Sequence, residues 1–118
     1  MTLVDTSVWV DHLRHGDDQL VALLAAGEVL AHPAVIGELA CGNLRNRAVV
    51  LDALGALPRA AVASDAEALR TIEAHALRGT GLGWVDVHLL AAALLTRCAL
   101  WTRDVRLMHA ARRAGLGA

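Results

Sequence analysis

The chain predicts an α/β fold, a three-layer α/β/α sandwich around a short parallel sheet of four strands, with a fifth only if the C-terminus supplies it. Three observations carry this. Short apolar runs at Leu3-Val4, 29–31, 60–62 and 99–101 alternate with helical patterns, the signature of βαβ units. The first and last of these runs stop at polar residues and an acid immediately before a helix start. The length, 118 residues, suits one domain spanning 1–118 around one core, and no linker, repeat or low-complexity tract divides it.

Taken in order, Leu3-Val4 ends at Asp5, and Thr6 or Ser7 can cap a helix whose Val8, Trp9 and Leu13 share one face. Gly16-Asp17-Asp18 is a turn and cap for a short helix over 19–26 that stops at Gly27. The second strand, 29–31, is closed by His32-Pro33, and Pro33 suits the first position of a helix over 34–41. A polar turn at 43–47 leads to a helix over 48–54, stopped by Gly55 and Pro58. After a weak strand at 60–62, Ser64 and Glu67 form a capping box for a helix to about residue 77. The segment 84–97 is the most apolar helix; strand 99–101 and a last helix over 105–114 finish the chain. Almost nothing remains for a final edge strand.

The composition excludes several chemistries. Every basic side chain among the 11 is Arg, so lysine-dependent phosphate loops and Schiff bases are ruled out. The net charge of −1 gives no global attraction for nucleic acid. Cys41 and Cys98 are far apart in apolar surroundings and read as buried thiols of a cytoplasmic protein. Asp5 and Asp11 interrupt any signal-peptide core, and the apolar segment 82–95 is too short to span a bilayer. With 56% hydrophobic residues on so small a chain, part of the apolar surface is expected to end in an interface.

Four acids stand out. Asp5 and Asp104 follow strands; Glu38 lies in Ala-Val-Ile-Gly-Glu-Leu-Ala-Cys-Gly; Asp86 heads the apolar helix. No basic residue lies three or four positions from Glu38 or Asp86, so both need long-range partners, and a cation is a natural one. Each acid also has a purely structural reading: Asp5 and Asp104 as helix caps, Asp86 as a partner of the helix dipole, Glu38 as a solvent-facing residue. Clustered, four carboxylates repel one another and call for bound cations, and oxygen-only ligands favour Mg²⁺ or Mn²⁺ over Zn²⁺. Such a centre cleaves phosphodiesters with water and requires no side-chain general base. The six histidines show no zinc spacing, although His12 or His88 can assist proton transfer.

These residues resemble the PIN-domain family, specifically the VapC-type toxin ribonucleases of bacterial type II toxin–antitoxin pairs. The resemblance rests on Leu3-Val4-Asp5-Thr6-Ser7-Val8-Trp9, on Val35-Ile36-Gly37-Glu38-Leu39, on Asp86 heading its Ala-rich helix, and on Leu100-Trp101-Thr102-Arg103-Asp104. It implies a Mg²⁺- or Mn²⁺-dependent endoribonuclease that forms homodimers and is inhibited by a small cognate antitoxin. Carried over, Asp5, Glu38, Asp86 and Asp104 are the metal-binding acids, and Ser7 and Thr102 the hydroxyls that orient them. Two departures are visible. Where many relatives carry a further acid two residues after Asp104, this chain has Arg106, and the terminal edge strand is missing.

Arg14, Arg45, Arg47, Arg103 and Arg106 are the candidate RNA contacts, since phosphate binding requires cations beside an acidic site. Trp9, Trp84 and Trp101 each adjoin an apolar element and read as core. A phosphatase-like nucleophile at Asp5 is disfavoured, because Ser7 stands where a second Asp is wanted and lysine is absent. The alternative that survives is a catalytically silent binding scaffold holding one structural cation.

Overall fold

The structure, a computed structural model, describes all residues from Met1 to Ala118. Three parallel strands, β1 (Thr2–Val4), β2 (Val29–Leu30) and β3 (Ala99–Trp101), form a sheet of order β2-β1-β3. Seven helices surround it: α1 (Thr6–His15), α2 (Asp18–Ala25), α3 (Pro33–Ala40), α4 (Arg47–Gly55), α5 (Asp65–Ala74), α6 (Trp84–Thr96) and α7 (Val105–Arg113). Leu3 and Val4 point to opposite faces of the central strand and both are fully buried, so both faces are covered. The sandwich architecture is thus the expected one.

The strand count differs from the expected four. The run at 60–62 does not form a strand; only Arg59 pairs with Ala31, as a single parallel bridge. Pro58 has no amide proton to extend that ladder toward its N-terminus, and Val62 is 58% exposed, with no packing to hold it. The absent edge strand is likewise reduced to one bridge, Leu100 with Gly117. Both edges of the sheet therefore end in one-residue pairings.

One hydrophobic cluster of 23 buried residues runs from Leu3 to Ala111 and includes Leu89, Leu90, Leu100 and Leu107. Helix α6 buries Val87 and Leu89 to Ala93 in succession, which is why its sequence is apolar on every side. Trp9 is buried as expected, but Trp84 is 45% exposed at the start of α6, where no later element covers the first turn. Cys98 is buried; Cys41, at the end of α3, is exposed, since the chain leaves the core there. Val49, Val62 and Val105 stand out as exposed apolar side chains.

His32, directly after β2, is 3% exposed and caps α3: its Nδ1 accepts the Ala34 N–H at 3.0 Å. The proton of the neutral ring is therefore on Nε2, which has no partner. Burial, reinforced by the nearby charges of His88 and Arg59, holds its pKa below the ordinary value of 6.5. The folded state thus prefers neutral His32, and stability is full above about pH 6.5 and falls as pH drops below it. Thermal melts between about pH 7 and pH 5 should show that decline, and His32→Asn, which keeps a capping acceptor, should flatten it. An unchanged slope in the variant would remove His32 as the cause.

Candidate active site

Parallel pairing places the carboxyl ends of all three strands at one sheet edge. The register Val4↔Trp101 sets Asp5 beside Thr102, and the Asp5 amide donates to the Trp101 carbonyl at 2.9 Å. The chain passes from β1 outward to β2 and returns to β3 on the other side. The crevice between β1 and β3 is therefore the switch point where ligands of open α/β sheets bind.

Asp5 occupies the N-cap position of α1, but its side chain caps nothing. It is 7% exposed and turns into the crevice. Its Oδ2 accepts two hydroxyl hydrogen bonds, from Ser7 at 2.8 Å and from Thr102 at 2.7 Å. Each hydroxyl is itself aimed by a backbone amide of the loop after β3. Arg103 N–H donates to Ser7 Oγ at 3.0 Å, and Asp104 N–H donates to Thr102 Oγ1 at 3.0 Å. An amide only donates and a carboxylate only accepts, so the short contacts direct both hydroxyl protons to Asp5, while the two hydroxyls lie 3.4 Å from each other. No hydrogen bond reaches Oδ1.

The other acids repeat this division. Asp104 caps α7, with Oδ1 taking the amides of Arg106 at 2.9 Å and Leu107 at 3.1 Å. Asp86 Oδ2 accepts the Gly83 amide at 3.1 Å. Glu38 Oε1 accepts the Thr6 hydroxyl at 2.8 Å. Each of the four carboxylates engages the protein through one oxygen and leaves the other without a protein donor. None forms an ion pair, since the arginine nearest to them in sequence, Arg103, is bound to Asp11 and Asp17 instead.

Three of the acids share one field. Asp86 is half-buried, and its pKa is raised, first by burial and then by the negative charges of Asp5 and Asp104, against the lowering effect of the Gly83 amide. Glu38 is exposed on α3 and is linked to the cluster through Thr6, the neighbour of Asp5. The acids do not close into a finished shell, and no three acid, histidine or cysteine side chains converge at metal-ligand distance. The donor set nonetheless fits a hard divalent cation: only oxygens, one buried carboxylate without a basic partner, and a free oxygen on every acid.

The arginines divide by environment. Arg14 and Arg45 line a groove of about 500 Å³ that also contains His15 and reaches Glu38. Arg47 donates to the carbonyls of Ala40, at 2.5 Å, and Gly42, at 3.1 Å, and so closes the end of α3. The side chain of Arg106 lies against Gly81, whose φ of +83° belongs to the loop before α6. Three participants escape the sequence reading: Thr6, which holds Glu38, and Asp11 and Asp17, which hold Arg103. Thr6 was open to detection, being a hydroxyl next to the strand-end acid; the Asp11 and Asp17 contacts join residues 86 or more positions from Arg103 and leave no local signal.

Comparisons with known proteins give the family of the chain. The PIN domain profile matches residues 2–113. Proteins named Ribonuclease VapC32, from two strains of Mycobacterium tuberculosis, are each 48% identical over 117 residues, covering 98% of this chain and 94% of the relative. No solved structure matches significantly. On the family match and on these relatives, the chain belongs to the PIN-domain family.

Proposed function

We propose that this protein is a metal-dependent endoribonuclease, the toxin of a toxin–antitoxin pair, that hydrolyses RNA phosphodiesters at the carboxylate cluster. The observation that carries this reading is the free oxygen on Asp5, Glu38, Asp86 and Asp104, four acids with no cation of the protein against them. Asp5 would be the central ligand, with Glu38 and Asp104 completing the first site, and Asp86 would position a second cation or the water. Mg²⁺ or Mn²⁺ held there supplies charge neutralisation and a lowered water pKa. Ser7 and Thr102 fix the orientation of Asp5 through their hydrogen bonds to Oδ2. Asp86, whose pKa is raised by burial and by the charges of Asp5 and Asp104, gains most from a cation that neutralises the site. Hydrolysis adds water across one P–O bond, leaving phosphate on one fragment and hydroxyl on the other.

Arg14 and Arg45 bring phosphates along the groove toward Glu38. A homodimer covers exposed apolar side chains such as Val49 and Val105, and a small cognate antitoxin inhibits the enzyme in the cytoplasm. No helix is long and apolar enough to cross a membrane. The test is cleavage of mixed single-stranded RNA by purified, antitoxin-free protein in EDTA, Mg²⁺ or Mn²⁺. Cleavage that requires the metal is expected. A folded protein that binds Mn²⁺ in calorimetry yet cleaves nothing would support the silent scaffold, the reading that Arg106 in place of a further acid favours.

A further inference from the structure

Arg103 precedes Asp104 in the chain, yet its guanidinium pairs with none of the four acids. Its Nε lies 2.7 Å from Asp11 Oδ2, and its Nη2 lies 2.6 Å from Asp17 Oδ2. The guanidinium also sits 5.9 Å from the centre of the Trp101 ring. Asp11 belongs to α1, and Asp17 caps α2, its Oδ1 accepting the Leu20 amide at 2.9 Å. One planar fork thus ties the loop after β3 to both the first helix and the start of the second. From the sequence, the same arginine reads as a phosphate contact; here its Nε and Nη2 are both engaged by carboxylates.

The backbone of this residue is what aims Ser7. Arg103 N–H donates to Ser7 Oγ at 3.0 Å, and the Ser7 hydroxyl donates in turn to Asp5 Oδ2 at 2.8 Å. The next amide, that of Asp104, does the same through Thr102. If the loop moves, both amides move, and with them the two hydroxyls that hold Oδ2 and leave Oδ1 free. We propose that Arg103 is a positioning residue: its double ion pair to Asp11 and Asp17 fixes the loop whose amides orient the Ser7 and Thr102 hydroxyls on Asp5. The inference rests on the ribonuclease reading for its kinetic test, and has a separate readout in metal binding.

The two roles for Arg103 predict opposite signs. As a positioning residue, Arg103→Met lowers kcat by about 10- to 100-fold, in the range for groups that orient metal ligands, with KM for RNA little changed. Arg103→Lys rescues it only in part, since an ammonium lacks the fork that spans two carboxylates. The double variant Asp11→Asn, Asp17→Asn reproduces the kcat loss although Arg103 is intact and the protein has become more positive. As a phosphate contact, Arg103→Met raises KM and lowers the salt slope of RNA binding by about one, and freeing it from Asp11 and Asp17 tightens RNA. Kinetics of the four proteins over a salt series, with circular dichroism to confirm folding, decide between them. Calorimetric titration with Mn²⁺ gives the second readout, in which Arg103→Met and the double Asn variant both weaken the metal about 10-fold or more. A KM-only effect, or wild-type kcat and Mn²⁺ affinity in the double variant, overturns the proposal. Absence of cleavage by the wild type would instead strike the ribonuclease reading and leave the Mn²⁺ comparison standing.

Discussion

Asp5→Asn is expected to abolish RNA cleavage, by about a thousandfold or more, in a protein that remains folded. The size follows from the several kcal/mol of charge stabilisation that a cation gives to phosphoryl chemistry, all of which depends on a charged central ligand. The fold survives because the amide keeps an oxygen where Oδ2 now accepts Ser7 and Thr102. Burial is the main cause that raises the pKa of Asp86, and one of the two charges that add to it is removed, so the metal-free variant should melt at the wild-type temperature or above it. Single-turnover cleavage in Mn²⁺, with melts in EDTA, checks both halves. Wild-type turnover by the variant would sink the assignment of Asp5.

Thr102→Val should produce the second largest effect, and on two quantities at once. Thr102 is 3% exposed, so its hydroxyl cannot be replaced by solvent without a rearrangement. The near-isosteric valine deletes the donor to Asp5 and the acceptor of the Asp104 amide in one change. Losing hydrogen bonds to a buried charge and leaving that amide unpartnered should cost about 1–3 kcal/mol of stability. Activity should fall about 10- to 100-fold, as for other groups that orient metal ligands. Thr102→Ser retains the hydroxyl and should recover most of both. Chemical denaturation and cleavage rates measure them, and an active, stable valine variant would show that the loop amides hold Asp5 by some other route.

The sequence was most informative where the chemistry is local. The Ser64–Glu67 capping box forms with both of its hydrogen bonds, 2.9 Å and 3.1 Å. Strand-ending acids at positions 5 and 104 and the apolar pattern of α6 also appear where periodicity places them. Legibility fails where tertiary structure decides. The run at 60–62 has β-compatible residues but no neighbour to pair beyond one bridge. Asp5 stands at a cap position, and its side chain is drawn away by two hydroxyls, one of them from the far end of the chain. Trp84 has the composition of a core residue and lies where no element covers it. Arg103 shows the limit most clearly, because charge and position suit RNA as well as they suit Asp11 and Asp17, and only three-dimensional proximity separates the two.

The hydrogen bond between Thr102 and Asp5 joins residues 97 positions apart. The acid centre therefore cannot be assembled from a fragment that ends before Asp104. A nascent chain that has emerged with β1, β2 and all the helices up to α6 has Asp5, Glu38 and Asp86 but neither the strand that flanks the crevice nor the loop that aims the hydroxyls. Since the central strand is first in the chain and its partner β3 comes near the end, the closing contact is a late, long-range event in folding. Copies that lack β3 and the loop after it are thus without the hydroxyl and the amides that hold Asp5, and the centre is complete only once nearly the whole chain has been made.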